Sequence, residues 1–186
     1  MKSQQIEMLL KDLLSITTKE HRKLSEILAE NFGSFDEQIV KILREEYQEP
    51  KNDWKVICGC FSVIGEASRK YPRIGNEVFR DGYPLINKGL LDRRVSVKRF
   101  ATISVLNIIC KIYLERGFIH MGEDNDKESN KEINAEIREL KKNIKSAVFL
   151  ESFDLVYPHQ LDRRMLCERA GIEEESLAKI SKSILG

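Results

Sequence analysis

The sequence predicts an all-α chain, and three observations carry that expectation. Apolar residues recur at helical spacing along nearly the whole length. Capping residues stand where those stripes begin, and glycines or prolines where they end. No segment alternates apolar and polar residues as a half-buried strand would.

The elements follow in order. Ile6, Leu9, Leu10 and Leu13 form the first amphipathic stripe. Thr17 and Glu20 make a capping box for a second, Leu24, Ile27, Leu28 and Phe32, which Gly33 ends. Ser34 and Glu37 repeat the box ahead of Ile39, Ile42 and Leu43. "EPKND" breaks the pattern, and Asn52 or Asp53 can cap a long helix from Trp54 to about Lys70. "YPRIG" interrupts it. The next stretch, with a break or kink expected near Gly82 and Pro84, continues through Leu85, Ile86, Leu90 and Leu91. After "DRR" a helix runs to about Glu115. Residues 117–131 read as a polar loop or linker, closed by a third box, Ser129 with Glu132, that opens the stripe Ile133, Ile137, Leu140 and Ile144. Pro158 breaks the chain, and two short helices, 160–170 and 173–185, are expected to meet at Gly171.

The chain has 186 residues, 31 basic and 30 acidic. That near-balance argues against a bulk polycation or a membrane-surface protein. The charges are unevenly spread, however. Residues 51–118 carry 13 basic and 6 acidic groups, while both flanking thirds are net acidic. Cys58, Cys60, Cys110 and Cys167 all fall in expected helices without zinc-type spacing. Two residues apart on a helix, Cys58 and Cys60 point roughly 200° away from each other. Buried, reduced thiols are expected, and with them a cytoplasmic protein. The N-terminal stretch is too acidic for a signal peptide, and no apolar run reaches the length of a membrane span.

A longer period underlies the helical one. Val56, Cys60 and Ile64 stand at steps of four, as do Val97, Ala101 and Val105, at an offset of 41 residues. A small residue at the centre of such a stripe lets another helix approach closely, and larger residues one turn away fill the gap. Pro84, Leu85, Leu90, Leu91 and Asp92, then Val97-Lys98, Ala101 and Val105, resemble the HEAT family of helical repeats. So do Val56, Cys60 and Ile64-Gly65, followed by "EASRKYP". The resemblance covers about residues 35–116. The earlier copy departs from the pattern in having Ile57 at the basic position and no turn aspartate at the matching offset. The resemblance implies a single armadillo-type domain over 1–186, a right-handed α-α superhelix of helix pairs. Helices within 1–34 and 130–186 would flank or cap it, since a stack needs more than two units or covered ends.

Catalytic patterns are sparse. His21, His120 and His159 share no motif with a cysteine, serine or carboxylate. The acidic run "EDNDKESN" lacks the glycine and terminal glutamate of a calcium loop. No cofactor and no metal is expected. "DRRVSVKRFATISVL" also resembles HEAT-like DNA alkylation glycosylases, with Arg93, Arg94, Lys98 and Arg99 as phosphate contacts, but only Asp53 stands beside the single tryptophan, Trp54. "LCERAGIEEESLAKI" resembles a helix-turn-helix, yet Glu173, Glu174 and Glu175 would face DNA phosphates.

The expected function is therefore a non-catalytic scaffold that binds a protein partner. The partner face is assigned to Lys55, Arg69, Lys70, Arg73, Arg94, Lys98 and Arg99, with Lys98 also expected to pair with Asp92. Nucleic-acid binding through the same residues, with or without the C-terminal hairpin, is the alternative. A membrane is not an expected partner.

Overall fold

The computed structural model describes residues 3–12, 36–48, 52–70, 76–121 and 127–186. Among them are nine helices and no strand: α1 (Ser3–Asp12), α2 (Asp36–Glu46), α3 (Trp54–Lys70), α4 (Asn76–Leu90), α5 (Val95–Met121), α6 (Lys127–Asn143), α7 (Ser146–Val156), α8 (Gln160–Ala170) and α9 (Glu174–Leu185). The all-α expectation holds. The Thr17 capping box, the Leu24–Phe32 stripe, Gly33 and Ser34 lie outside the described residues.

α5 is the axis of the molecule. From Ala101 to Ile112 only Ile103 and Lys111 reach intermediate exposure, and every other residue is buried. A helix that is apolar all round has neighbours all round. Here they are α3, α4, α7, α8 and α9. The most extensive packing is between α3 and α5. They run parallel: the Arg94 guanidinium reaches the Asn52 carbonyl, and the Ser104 hydroxyl donates to the Phe61 carbonyl, at separations of 42 and 43 residues. Each is the second helix of a pair, α2 with α3 and α4 with α5, and α2 also packs on α4.

Both small-residue stripes are inside. Val56, Cys60, Ile64, Val97, Ala101 and Val105 are at most 1% exposed. Close approach is concentrated at two glycines. A Cβ on Gly65 would come within 3.2 Å of the Ser104 Cα, and one on Gly89 within 2.5 Å of the Phe61 ring and 2.8 Å of the Ala101 methyl. Helices separated by such contacts are held at the distance the missing side chains allow.

The like-oriented stack stops at α5. The Thr102 and Ser152 hydroxyls lie 2.7 Å apart, while Arg99 sits over the Tyr157 ring. As α5 advances α7 recedes, so these two helices are antiparallel. α6 and α7, joined by two residues, make little contact with each other, and α9 packs on α5, α6 and α7 together. α7, α8 and α9 thus cover α5, and α6 covers α4.

Several boundaries differ from expectation. Pro84 neither ends nor breaks α4. Its missing amide removes a helical hydrogen bond, and packing of α4 on α2, α5 and α6 carries the helix through. α5 extends to Met121 and α6 begins at Lys127, so most of the expected loop is helical and the Ser129–Glu132 box lies inside α6. "GFIHM" is largely apolar and extends the stripe of α5. Leu91 belongs to the turn after α4 and is 62% exposed. α8 and α9 meet at Gly171, whose φ of 80° ends α8 in the left-handed region.

Three substitutions test this packing. Ala101→Leu is expected to cost about 1–3 kcal/mol through overpacking. Gly89→Ala would gain up to about 1 kcal/mol of helix propensity, but the clash with Phe61 outweighs it, for a net loss of about 1–2 kcal/mol. Gly82→Ala meets only Val40 at 3.8 Å and should be neutral or stabilising. Urea midpoints in that order support the packing, and equal midpoints would contradict it.

Candidate interaction surface

The parallel arrangement brings two turns together, α2 to α3 and α4 to α5, each organised by an aspartate. Asp53 accepts the Lys55 amide at 3.0 Å and the Lys11 ammonium at 2.9 Å, while its own amide donates to Glu46 at 2.7 Å. It is the expected cap of α3. Burial pushes its carboxyl up, and the Lys11 and backbone hydrogen bonds outweigh that and hold it below the ordinary range.

Asp92 does the equivalent work before α5. Its carboxylate accepts the Arg94 amide and Nε at 2.9 Å on one oxygen and Nη2 at 2.7 Å on the other. The remaining guanidinium nitrogen donates to the Asn52 carbonyl at 3.3 Å, where Asn52 holds a φ of 49°. Arg94 thereby ties the two turns together. Burial raises the Asp92 carboxyl, and the Arg94 hydrogen bonds with the Arg94 and Lys98 charges bring it below the ordinary range.

Asp92 is therefore held by Arg94, and Lys98 acts on it only through its charge. A planar fork two residues along matches a carboxylate in two places at once, which an ammonium cannot do. The position 41 residues before Asp92 is Lys51, as expected, and the aspartate that organises the earlier turn is Asp53, two residues further on at the start of α3.

The cations assigned to the partner face divide into groups. Lys55, Arg94, Lys98 and Arg99 lie at the N-terminal ends of α3 and α5. Arg69 and Lys70 are in the last turn of α3, about 21 Å along its axis from Lys55, and their side chains, like all of Arg73, lie outside the described residues. Of the first group Arg94 is committed internally. Lys55 Nζ lies 6.0 Å from the Trp54 ring and Arg99 lies 5.5 Å from the Tyr157 ring. Burial pushes the Tyr157 hydroxyl up to about 12, with Arg99 opposing and Asp162 adding to it.

Side chains not assigned to the face complete this end. Arg93 is exposed, as are Trp54 at 41%, Leu91 at 62% and Val95 at 60%. Leu91 and Val95 bracket the polar turn "DRR", the one signal in the sequence that could have placed them outside.

The C-terminal hairpin uses its apolar face inside the molecule. Leu177, Ile180, Ile184 and Leu185 are buried, while Glu174 pairs with Arg163 at 3.0 Å and Glu173 and Glu175 are exposed. The four cysteines are free and buried. Burial pushes Cys58 up to about 12 and Cys167 up to about 11, and holds Cys60 well above the ordinary thiol range, so none of these three is a ready nucleophile. Among the described residues no group of three or more His, Cys, Asp or Glu side chains could hold a metal ion, and no helix is long and apolar enough to cross a membrane.

No family model, curated protein or solved structure matches the chain.

A second ionisable cluster lies where α6 docks on α4. The buried Tyr83 hydroxyl donates to Glu136 at 3.2 Å. Burial raises the Glu136 carboxyl to about 7; the Tyr83 hydrogen bond opposes this and the Glu115 charge adds to it. Glu115 itself pairs with Lys111 at 3.2 Å.

Two predictions follow from these clusters. Arg94→Ala is expected to cost about 1–2 kcal/mol, because it strips a bidentate partner from Asp92 and unties the turns. Arg99→Ala should stay within about 0.5 kcal/mol. Equal urea midpoints for the two variants would remove the structural role of Arg94.

Glu136 titrates higher in the folded chain than in the unfolded one. The native state keeps the extra proton from the ordinary glutamate value up to about 7, so stability falls as pH rises through that window. Glu136→Gln should flatten this slope and raise stability at pH 8 by roughly 1–2 kcal/mol. An unchanged pH profile in thermal melts would contradict the raised value.

Proposed function

We propose that this chain is a non-catalytic protein-interaction scaffold built from two HEAT-like (armadillo-type) helix pairs, α2–α3 and α4–α5, closed on one side by the C-terminal helices. The supporting observation is the parallel packing of α3 on α5, with separations of 42 and 43 residues at the two hydrogen bonds that join the paired turns and helices. In a stack of helix pairs the second helices align in that way. The superhelix is short on this reading, because α7 runs against α5 rather than with it. The four free, buried thiols support a cytoplasmic setting.

The partner is a protein, and its seat is the end of the molecule that holds Lys55, Lys98 and Arg99. Arg94 leaves the partner face and becomes part of the frame beneath it. A stack of helices presents the ends of successive pairs side by side, which gives a partner a continuous surface contributed by several elements.

The test is photo-crosslinking in cells, with p-benzoylphenylalanine placed at Ser96, an exposed position beside the cations. The scaffold reading expects discrete protein adducts that resist nuclease. Adducts should be lost when Lys55→Glu and Arg99→Glu are combined, with the thermal melt unchanged. Nuclease-sensitive adducts would replace this reading with nucleic-acid binding. Absence of protein adducts here and from further exposed positions such as Met165 would overturn it.

A further inference from the structure

Two exposed apolar groups stand out on the surface, and they differ in the charges around them. One is Leu155 on α7 with Leu161 and Met165 on α8, 59–69% exposed. Arginines beside it are already paired, Arg163 with Asp154 and Glu174 and Arg164 with Glu168. Nothing there selects an occupant. The other is Trp54, Leu91 and Val95 at the joined turns. Its acids are the ones already engaged, Asp53 by Lys11 and Asp92 by Arg94. Apart from Arg94, its cations have rings or distant charges nearby but no acid in ion-pair contact. Lys55, Arg93, Lys98 and Arg99 form no ion pair with any described residue.

The backbone adds to the same imbalance. α3 and α5 are parallel, so their N-termini, the positive ends of both helix dipoles, face the same way. Neither first turn contains an acidic residue. On α5, Val95 stands three and four residues before Lys98 and Arg99, so an apolar anchor and two cations share one stripe. Trp54 and Lys55 are adjacent at the start of α3.

We infer that this surface docks an acidic peptide segment of a protein partner, one that carries apolar side chains between its carboxylates. Trp54, Leu91 and Val95 take the apolar side chains, and Lys55, Arg93 and Arg99 take the carboxylates. The inference rests on the scaffold reading and names the chemistry of its partner. Aliphatic side chains decide against a nucleic acid as occupant. Leu91 and Val95 have no π-face for a base and no donor for a phosphate, and of the three apolar groups only Trp54 could stack. An interface centre of aromatic and aliphatic anchors with charges at its rim is the anatomy of a peptide site.

Fluorescence anisotropy tests it on the full chain. The probe is a short labelled peptide with a Leu-Phe pair flanked by glutamates. Three controls accompany it: the same peptide with glutamines for glutamates, the same with serines for Leu-Phe, and an oligothymidine of equal length. The inference expects saturable binding of the acidic apolar peptide. Binding should weaken at least about tenfold for each peptide control, for Trp54→Ala, and for Lys55→Glu combined with Arg99→Glu. Met165→Ala should leave it unchanged, and each variant's thermal melt is checked against the parent. Absence of binding, equal binding of all three peptides, or tighter binding of oligothymidine overturns the inference. The scaffold reading fails separately. Protein adducts formed in cells from p-benzoylphenylalanine at Met165 but not at Ser96 would sink this docking site and leave the scaffold standing.

Discussion

The ring of Phe61 occupies the space that any side chain at position 89 would need. That one absence brings α3, α4 and α5 together. The space at Gly89 is shared by the Phe61 ring and the Ala101 methyl, and the Phe61 carbonyl accepts the Ser104 hydroxyl. A larger residue at 89 or 101 would separate helices that are otherwise buried against one another along most of their length. The parallel setting of α3 and α5 depends on this node, and the assembly of the two turns depends on the parallel setting. Had α5 run the other way, Asn52 and Arg94 would lie at opposite ends.

At that shared end electrostatics divides into what is spent internally and what remains. Each incoming helix has an aspartate that satisfies backbone amides, and each aspartate has its own cation, Lys11 or Arg94. These pairs neutralise the local acids. Among the described residues at this end, Lys55, Arg93, Lys98 and Arg99 remain without an ion pair, around exposed Trp54, Leu91 and Val95. The surface is a consequence of how the turns are capped, and its charge follows from pairing rather than from composition alone.

Periodicity made much of the fold legible. α3, α8 and α9 begin and end within a residue of where the stripes, caps and Gly171 place them, and the burial of Ala101 between Val97 and Val105 follows from spacing. Directions were less legible. Residues 130–186 are helical as their stripes indicate, but nothing local reveals that α7 opposes α5, since an amphipathic stripe reads the same for either direction of packing. Pro84 shows a local preference overridden by neighbours on three sides. The site was legible in part. Clustering of basic residues pointed to the N-terminal end of α5, but not to Arg94 as a tie between turns, because its second partner is a backbone carbonyl 42 residues away. Sequence alone pairs Lys98 with Asp92 across the turn. The match of a guanidinium fork to a carboxylate two residues back decided otherwise.

The relative direction of α3 and α5 carries the whole account, and paired spin labels measure it. Labels at Lys55 and Ser96 sit near the N-terminal ends of the two helices, and labels at Lys55 and Tyr113 sit at opposite ends; all three positions are exposed and the native cysteines are buried. Seventeen residues of helix separate Ser96 from Tyr113, about 25 Å along the axis. The account predicts a short Lys55–Ser96 distance and a Lys55–Tyr113 distance of at least about 25 Å. The reverse order, with Lys55 nearer to Tyr113, would contradict it.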